Sequence, residues 1–166
     1  KAQLLLNGKV VGNLKEYDNK TGIIYWDIPY QDGKLEVEGF DKEGKKIASN
    51  FIRSSKRPYA LQVNEKLVTI NKKNGITQIV VQVVDEEGVP VMLADNNVTC
   101  QIKGPVKLLG LEASNNEDMS DYTDNHQRVY NGQILAYFKA TEANGQAKIR
   151  FSSPLLKPVE VTIDIK

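Results

Sequence analysis

Short runs in which apolar and polar residues alternate recur along this chain, punctuated by Gly, Asn, Asp and Pro, with no amphipathic helical stretch of any length. Period two is the mark of a strand that buries one face, so the chain has to fold as sheets packed against sheets. The first such unit opens on a hairpin. Residues 1–6 and 9–12 read as strands around Asn7-Gly8, the dipeptide best suited to the two positive φ angles of a type I′ turn. Residues 23–28 (IIYWDI) and 34–40 (KLEVEGF) alternate as half-buried strands, and residues 46–52 supply a last one. Arg53-Ser54-Ser55-Lys56-Arg57-Pro58 then breaks the pattern with a polar, basic stretch that ends in a residue unable to donate to a ladder. It divides the chain into residues 1–57 and 58–166.

The second unit carries seven or eight short strands at regular spacing. Residues 59–63 and 67–70 are split at Asn64-Glu65-Lys66, and the β-branched run 77–84 has the strongest strand signal. Residues 98–102, 106–111, 133–140, 146–151 and 159–165 follow, separated by turns such as Asp85-Glu86-Glu87-Gly88 and Gly104-Pro105. The expected fold is all-β: two tandem immunoglobulin-like antiparallel β-sandwich domains, the first of them partial. A chain that opens in mid-hairpin reads as a piece of something longer. The first unit is accordingly expected to be the less stable half, with a small core around Trp26, Leu35 and Val37.

Composition excludes several functions. Lys and Arg number 22 against 21 Asp and Glu, and no basic stripe interleaves with aromatics, so nucleic acid is not an expected partner. No apolar run approaches the roughly 20 residues that a membrane-spanning helix needs. Cys100, the single cysteine, lies in a strand-like run and reads as an inert buried thiol rather than a metal ligand. No cofactor and no metal site is expected.

One stretch interrupts the rhythm. Residues 112–131 (EASNNEDMSDYTDNHQRVYN) are polar, acid-rich and longer than an ordinary loop, which points to a functional or disordered segment. Glu112, Glu117, Asp118, Asp121 and Asp124 are plentiful carboxylates, yet a solvated loop provides neither the fixed separation nor the raised pKa that glycoside cleavage needs. Their spacing matches no EF-hand. The chain has no credible Ser/His/Asp or Cys/His grouping for nucleophilic catalysis. Tyr122 and Tyr130 offer aromatic faces, and His126 and Arg128 offer donors, a combination suited to sugar contact. The other reading of the two tyrosines is that their rings pin the loop to the sandwich.

These runs resemble a known family. Leu4-Leu5-Leu6-Asn7-Gly8-Lys9-Val10-Val11-Gly12 is similar to a strand-turn-strand in the β-sandwich that follows the catalytic barrel of family 2 glycoside hydrolases of the β-galactosidase-like, Bacteroidetes type. Trp26-Asp27-Ile28-Pro29-Tyr30 resembles the strand end that follows there, and residues 33–45 its next hairpin. Residues 83–91, Arg128-Val129-Tyr130-Asn131-Gly132 and the turn 140–145 resemble landmarks of the immunoglobulin-like module that comes after it. Where that module typically carries Gly-Asp-Pro, this chain has Ser114-Asn115-Asn116.

The resemblance implies a non-catalytic accessory region of a periplasmic or extracellular enzyme whose catalytic glutamates lie elsewhere. Its implied partners are the catalytic barrel, a glycan, or another copy through oligomer contacts. The alternative is an immunoglobulin-like spacer or adhesion array of a bacterial cell-surface protein.

Overall fold

The computed structural model describes all 166 residues, which divide into two compact units, Lys1–Ser54 and Ser55–Lys166. In the first, β1 (Ala2–Leu6), β2 (Lys9–Lys15), β3 (Lys34–Phe40) and β4 (Lys46–Arg53) form one sheet in the order β2-β1-β3-β4. Asn7 and Gly8 hold φ angles of 51° and 77°, as the expected hairpin turn requires.

β1 pairs antiparallel with β2 on one side and with β3 on the other. Those two strands therefore run in the same direction, and the segment between them crosses a face of the sheet rather than joining it. This is why residues 23–28, read as a strand from their alternation, form none. Tyr25 is exposed on this crossover. The neighbouring Trp26 is half-buried, and its indole N–H donates to the Asn13 carbonyl at 2.9 Å. The ring occupies the space left by Gly12, where a Cβ would stand 2.5 Å from the indole Cδ1.

The buried apolar residues of this unit are Ala2, Leu4 and Leu6, on alternate positions of β1. The core expected around Trp26, Leu35 and Val37 is thus centred one strand away. Leu35 and Val37 face Leu6 and Leu4 across the ladder and are only half-buried. On the outer strands Val10, Val11, Leu14, Ile47, Phe51 and Ile52 are all exposed.

In the second unit, β5 (Ala60–Val63), β7 (Ile76–Val84), β11 (Gln133–Ala140) and β9 (Val106–Glu112) make one sheet, in the order β5-β7-β11-β9. The other runs β10-β8-β12-β13-β6, from β10 (His126–Arg128), β8 (Asn97–Lys103), β12 (Gly145–Ser152), β13 (Val159–Ile165) and β6 (Leu67–Ile70). This is immunoglobulin-like connectivity. The break at Asn64-Glu65-Lys66 sends the two halves of the leading strand to opposite sheets. β6 then meets β13 in parallel, while every other pair of strands in the unit is antiparallel.

Alternation along β11 and β12 buries Phe138 and Phe151 completely. Their rings meet edge to face between the sheets, centroids 6.3 Å apart. Asp85, 2% exposed, organises the turn after β7. Its Oδ1 accepts the N–H groups of Glu87 and Val89, both at 2.9 Å, and its Oδ2 accepts that of Lys56 at 2.8 Å.

Cys100 is buried, and loss of hydration pushes its thiol up to about 12. An unfolded thiol ionises near 8.5, so the folded state holds this proton more tightly. That preference stabilises the fold fully below about pH 8.5 and is lost as pH rises towards 12. A disulfide reagent at about pH 8 is expected to titrate no thiol in the native protein and one per chain in denaturant. Rapid native modification would show that the strand around Cys100 opens.

Candidate functional site

The long loop between β9 and β10 is built from its own side chains. Glu112 Oε1 accepts the N–H of Ser114 at 2.7 Å, Asn115 Oδ1 that of Glu117 at 3.1 Å, and Asp118 Oδ1 that of Ser120 at 2.9 Å. Asp121 Oδ1 accepts both the N–H and the hydroxyl of Thr123, at 2.9 and 2.6 Å. Carboxylate and amide oxygens at these positions close successive turns, the local competition with regular structure that Asp and Asn are known for.

Hydrogen bonds from Ser120, side chain and then backbone, hold the Asp118 carboxyl below the usual carboxylate range. Those from Thr123 do the same for Asp121. A general acid needs the opposite shift. No three of the acidic, histidine or cysteine side chains converge as a group able to hold a metal ion.

What anchors the loop is a residue that sequence reasoning passed over. Gln127, in the middle of β10, is buried. Its side-chain carbonyl accepts the Ser120 hydroxyl at 2.8 Å, and its amide donates to Asp118 Oδ2 at 3.3 Å. The signal was present in the alternation His126-Gln127-Arg128: once these residues form an edge strand, the middle side chain points inward.

The four residues singled out for sugar contact are placed apart. His126 and Arg128 are exposed on β10, His126 opposite Thr99 and Arg128 opposite Asn97, with an Arg128 nitrogen 3.5 Å from an Asp95 oxygen. Tyr130 pairs its backbone with Gln133 and leaves its ring partly exposed. Tyr122 lies on the other sheet. Its carbonyl accepts the Leu111 N–H at 2.7 Å, and its ring comes so near Gly110 that a Cβ there would stand 3.1 Å from Cδ2.

A bulge in β9, where the register with β11 shifts between Tyr137 and Phe138, adds a residue beside that glycine. The result is a hollow of about 470 Å³ on the outer face of the sheet, lined by Ile76, Leu109, Gly110, Glu112, Tyr122 and Tyr137. A smaller one of about 120 Å³ adjoins it across Glu112, reaching Val80, Gln133 and Leu135. His126, Arg128 and Tyr130 line neither.

This architecture has counterparts. The family model "Glycoside hydrolase family 2 C-terminal domain 5" matches residues 61–162, more than half of the chain. The chain belongs to that family. A second model, "Domain of unknown function (DUF4982)", matches residues 1–48.

Among solved structures, a beta-glycosidase from Bacteroides vulgatus superposes with a TM-score of 0.87 at 24% identity, over 99% of this chain and 21% of that one. A glycosyl hydrolase family 2 member from Bacteroides cellulosilyticus does so with a TM-score of 0.87 at 21% identity, over 99% and 21%. A family 2 beta-glucuronidase gives a TM-score of 0.80 at 22% identity, over 99% and 17%. At these identities the likeness carries the fold. The chain spans about a fifth of the length of the structures it matches. No curated protein matches it.

Proposed function

We propose that this chain is the non-catalytic C-terminal accessory region of a periplasmic or extracellular family 2 glycosidase that hydrolyses β-galactosides. One observation carries the accessory role. The first unit exposes Val10, Val11, Leu14, Ile47, Phe51 and Ile52 on the two outer strands of a single sheet. Exposed apolar side chains at both edges and on both faces of one sheet, in a unit with few buried residues, suit a unit that packs on a larger body. That body is the catalytic barrel of the longer enzyme, which this region braces. The galactoside preference rests on the resemblance of residues 4–12 and 26–30 to β-galactosidase-like enzymes, and the location rests on the same likeness.

The test uses the parent enzyme with and without this region. Deletion is expected to lower the melting temperature of the barrel or its yield of folded protein. The isolated region should cleave neither aryl β-galactosides nor aryl β-glucuronides. Hydrolysis by the isolated region would overturn the accessory reading. A parent that cleaves glucuronides in preference to galactosides would overturn only the assigned sugar. An unchanged barrel after deletion, with further sandwich repeats upstream, would favour a cell-surface spacer.

A further inference from the structure

The two sheets of the second unit differ in what they show to solvent. An outward sheet face is normally polar. That of β10-β8-β12-β13-β6 is so, with Thr99, Gln101, Lys103, Lys148, Arg150 and Glu160 on alternate, outward positions. The face of β5-β7-β11-β9 carries Gln62, Gln82 and Gln133 outward too, but beside them turns Val80, Leu135, Tyr137 and Ile76 to solvent. Leu135 stands opposite Val80, and Tyr137 stands between Gln78 and Gly110. Tyr122, carried back over Gly110 by the loop, completes the hollow with Tyr137, Leu109 and Ile76.

From this we infer that the hollow is a binding site for a pyranose residue of an oligosaccharide. Its volume of about 470 Å³ falls within the roughly 300–1,000 Å³ of small-molecule sites. A partner protein would instead need a flat area of several hundred Å² on each side. The lining is almost wholly apolar, with the Glu112 carboxylate at one end, which matches the C–H face of a sugar ring stacked on tyrosine.

Tyr122 and Tyr137 are the stacking groups. Glu112 keeps one carboxylate oxygen on the Ser114 N–H and leaves the other to accept a hydroxyl. Gln78, beside Tyr137, and Lys139, two residues along the same face and opposite Ile76, supply amide and ammonium donors. At the rim the Glu112 carboxylate is joined by two ammonium groups, because Lys139 stands opposite Lys107 on β9. Of the four residues expected from sequence to touch sugar, this site retains Tyr122 alone and adds Tyr137 and Glu112 in its lining, with Gln78 and Lys139 beside it. The choice of a sugar as ligand rests on the reading of the chain as part of a glycosidase.

The full 166-residue chain would be titrated with methyl β-galactopyranoside, lactose and cellotetraose at millimolar concentrations, observing tyrosine ring resonances. At least one sugar is expected to shift Tyr122 and Tyr137 while leaving Tyr17 and Tyr59 in place. Tyr137→Ala should weaken that binding roughly tenfold or more, and Tyr130→Ala and His126→Ala should leave it unchanged. Because Tyr137 is half-buried, the exposed Tyr122→Ala is the second variant, and both are checked for a native melting transition. Unmoved Tyr122 and Tyr137 resonances with all three sugars would overturn the site. So would shifts that survive both substitutions, or an equal loss in Tyr130→Ala. None of these results bears on the barrel-deletion experiment, so the accessory reading stands or falls separately.

Discussion

Replacing Phe138 with alanine is expected to destabilise the second unit by about 3–5 kcal/mol, the range for truncating a fully buried aromatic ring. Phe138 comes from β11 and Phe151 from β12, and both are completely buried where the two sheets meet. Removing the ring leaves a void that neither sheet can close without sliding against its own ladder, and it deletes the edge-to-face contact at 6.3 Å. For a unit of this size the melting transition should fall by about 13–20 °C. Phe138→Leu, which keeps most of the volume, should lose less than half of that. Thermal unfolding followed by circular dichroism would decide it. A Phe138→Ala protein melting within about 2 °C of the wild type would show that the two sheets are not held together here.

Asp85→Ala is the second large loss, expected at about 3–4 kcal/mol. Its carboxylate accepts three backbone N–H groups, from Glu87, Val89 and Lys56, and the site is almost closed to water. Hydrogen bonds to a charged group contribute about 1.5–3 kcal/mol each, and a donor left buried without a partner costs its full desolvation. Asp85→Asn should fall between the two proteins. Its carbonyl can keep the two bonds to the turn, but its amide then faces the Lys56 N–H, donor against donor. Urea unfolding with the slope held common would measure both. Asp85→Ala melting like the wild type would mean that the turn finds other acceptors.

Most strands of the second unit were legible in the sequence because the alternation that buries one face is written residue by residue. The run 133–140 corresponds to β11 and the run 159–165 to β13 without adjustment. Residues 23–28 alternate just as well and form no strand. Alternation reports that a face can be buried, not that a ladder partner exists, and both edges of β1 were already taken. β10 was missed for the converse reason. Three residues are too few to show a period, and Thr99, Val98 and Asn97 create that strand by offering it an edge.

The candidate site was legible only in part. Tyr122 was visible as an aromatic in a polar loop. Tyr137 was hidden inside the apolar run Ile134-Leu135-Ala136-Tyr137-Phe138, where side chains bound for the core and for solvent look equally hydrophobic. The sheet decides between them: Ile134, Ala136 and Phe138 are buried, while Leu135 and Tyr137 face out.

By itself, then, the sequence determined the class of this protein. Period-two patterning and turn residues require sheets, and the absence of amphipathic helical runs leaves no helix for them to pack on. Those are local properties, readable in any window of a few residues. Which segments pair, which half of a split strand joins which sheet, and which tyrosine shares a hollow with Tyr122 were decided by tertiary structure. Each depends on residues distant in sequence, such as Gly110 and the bulge beside it, arriving at one place.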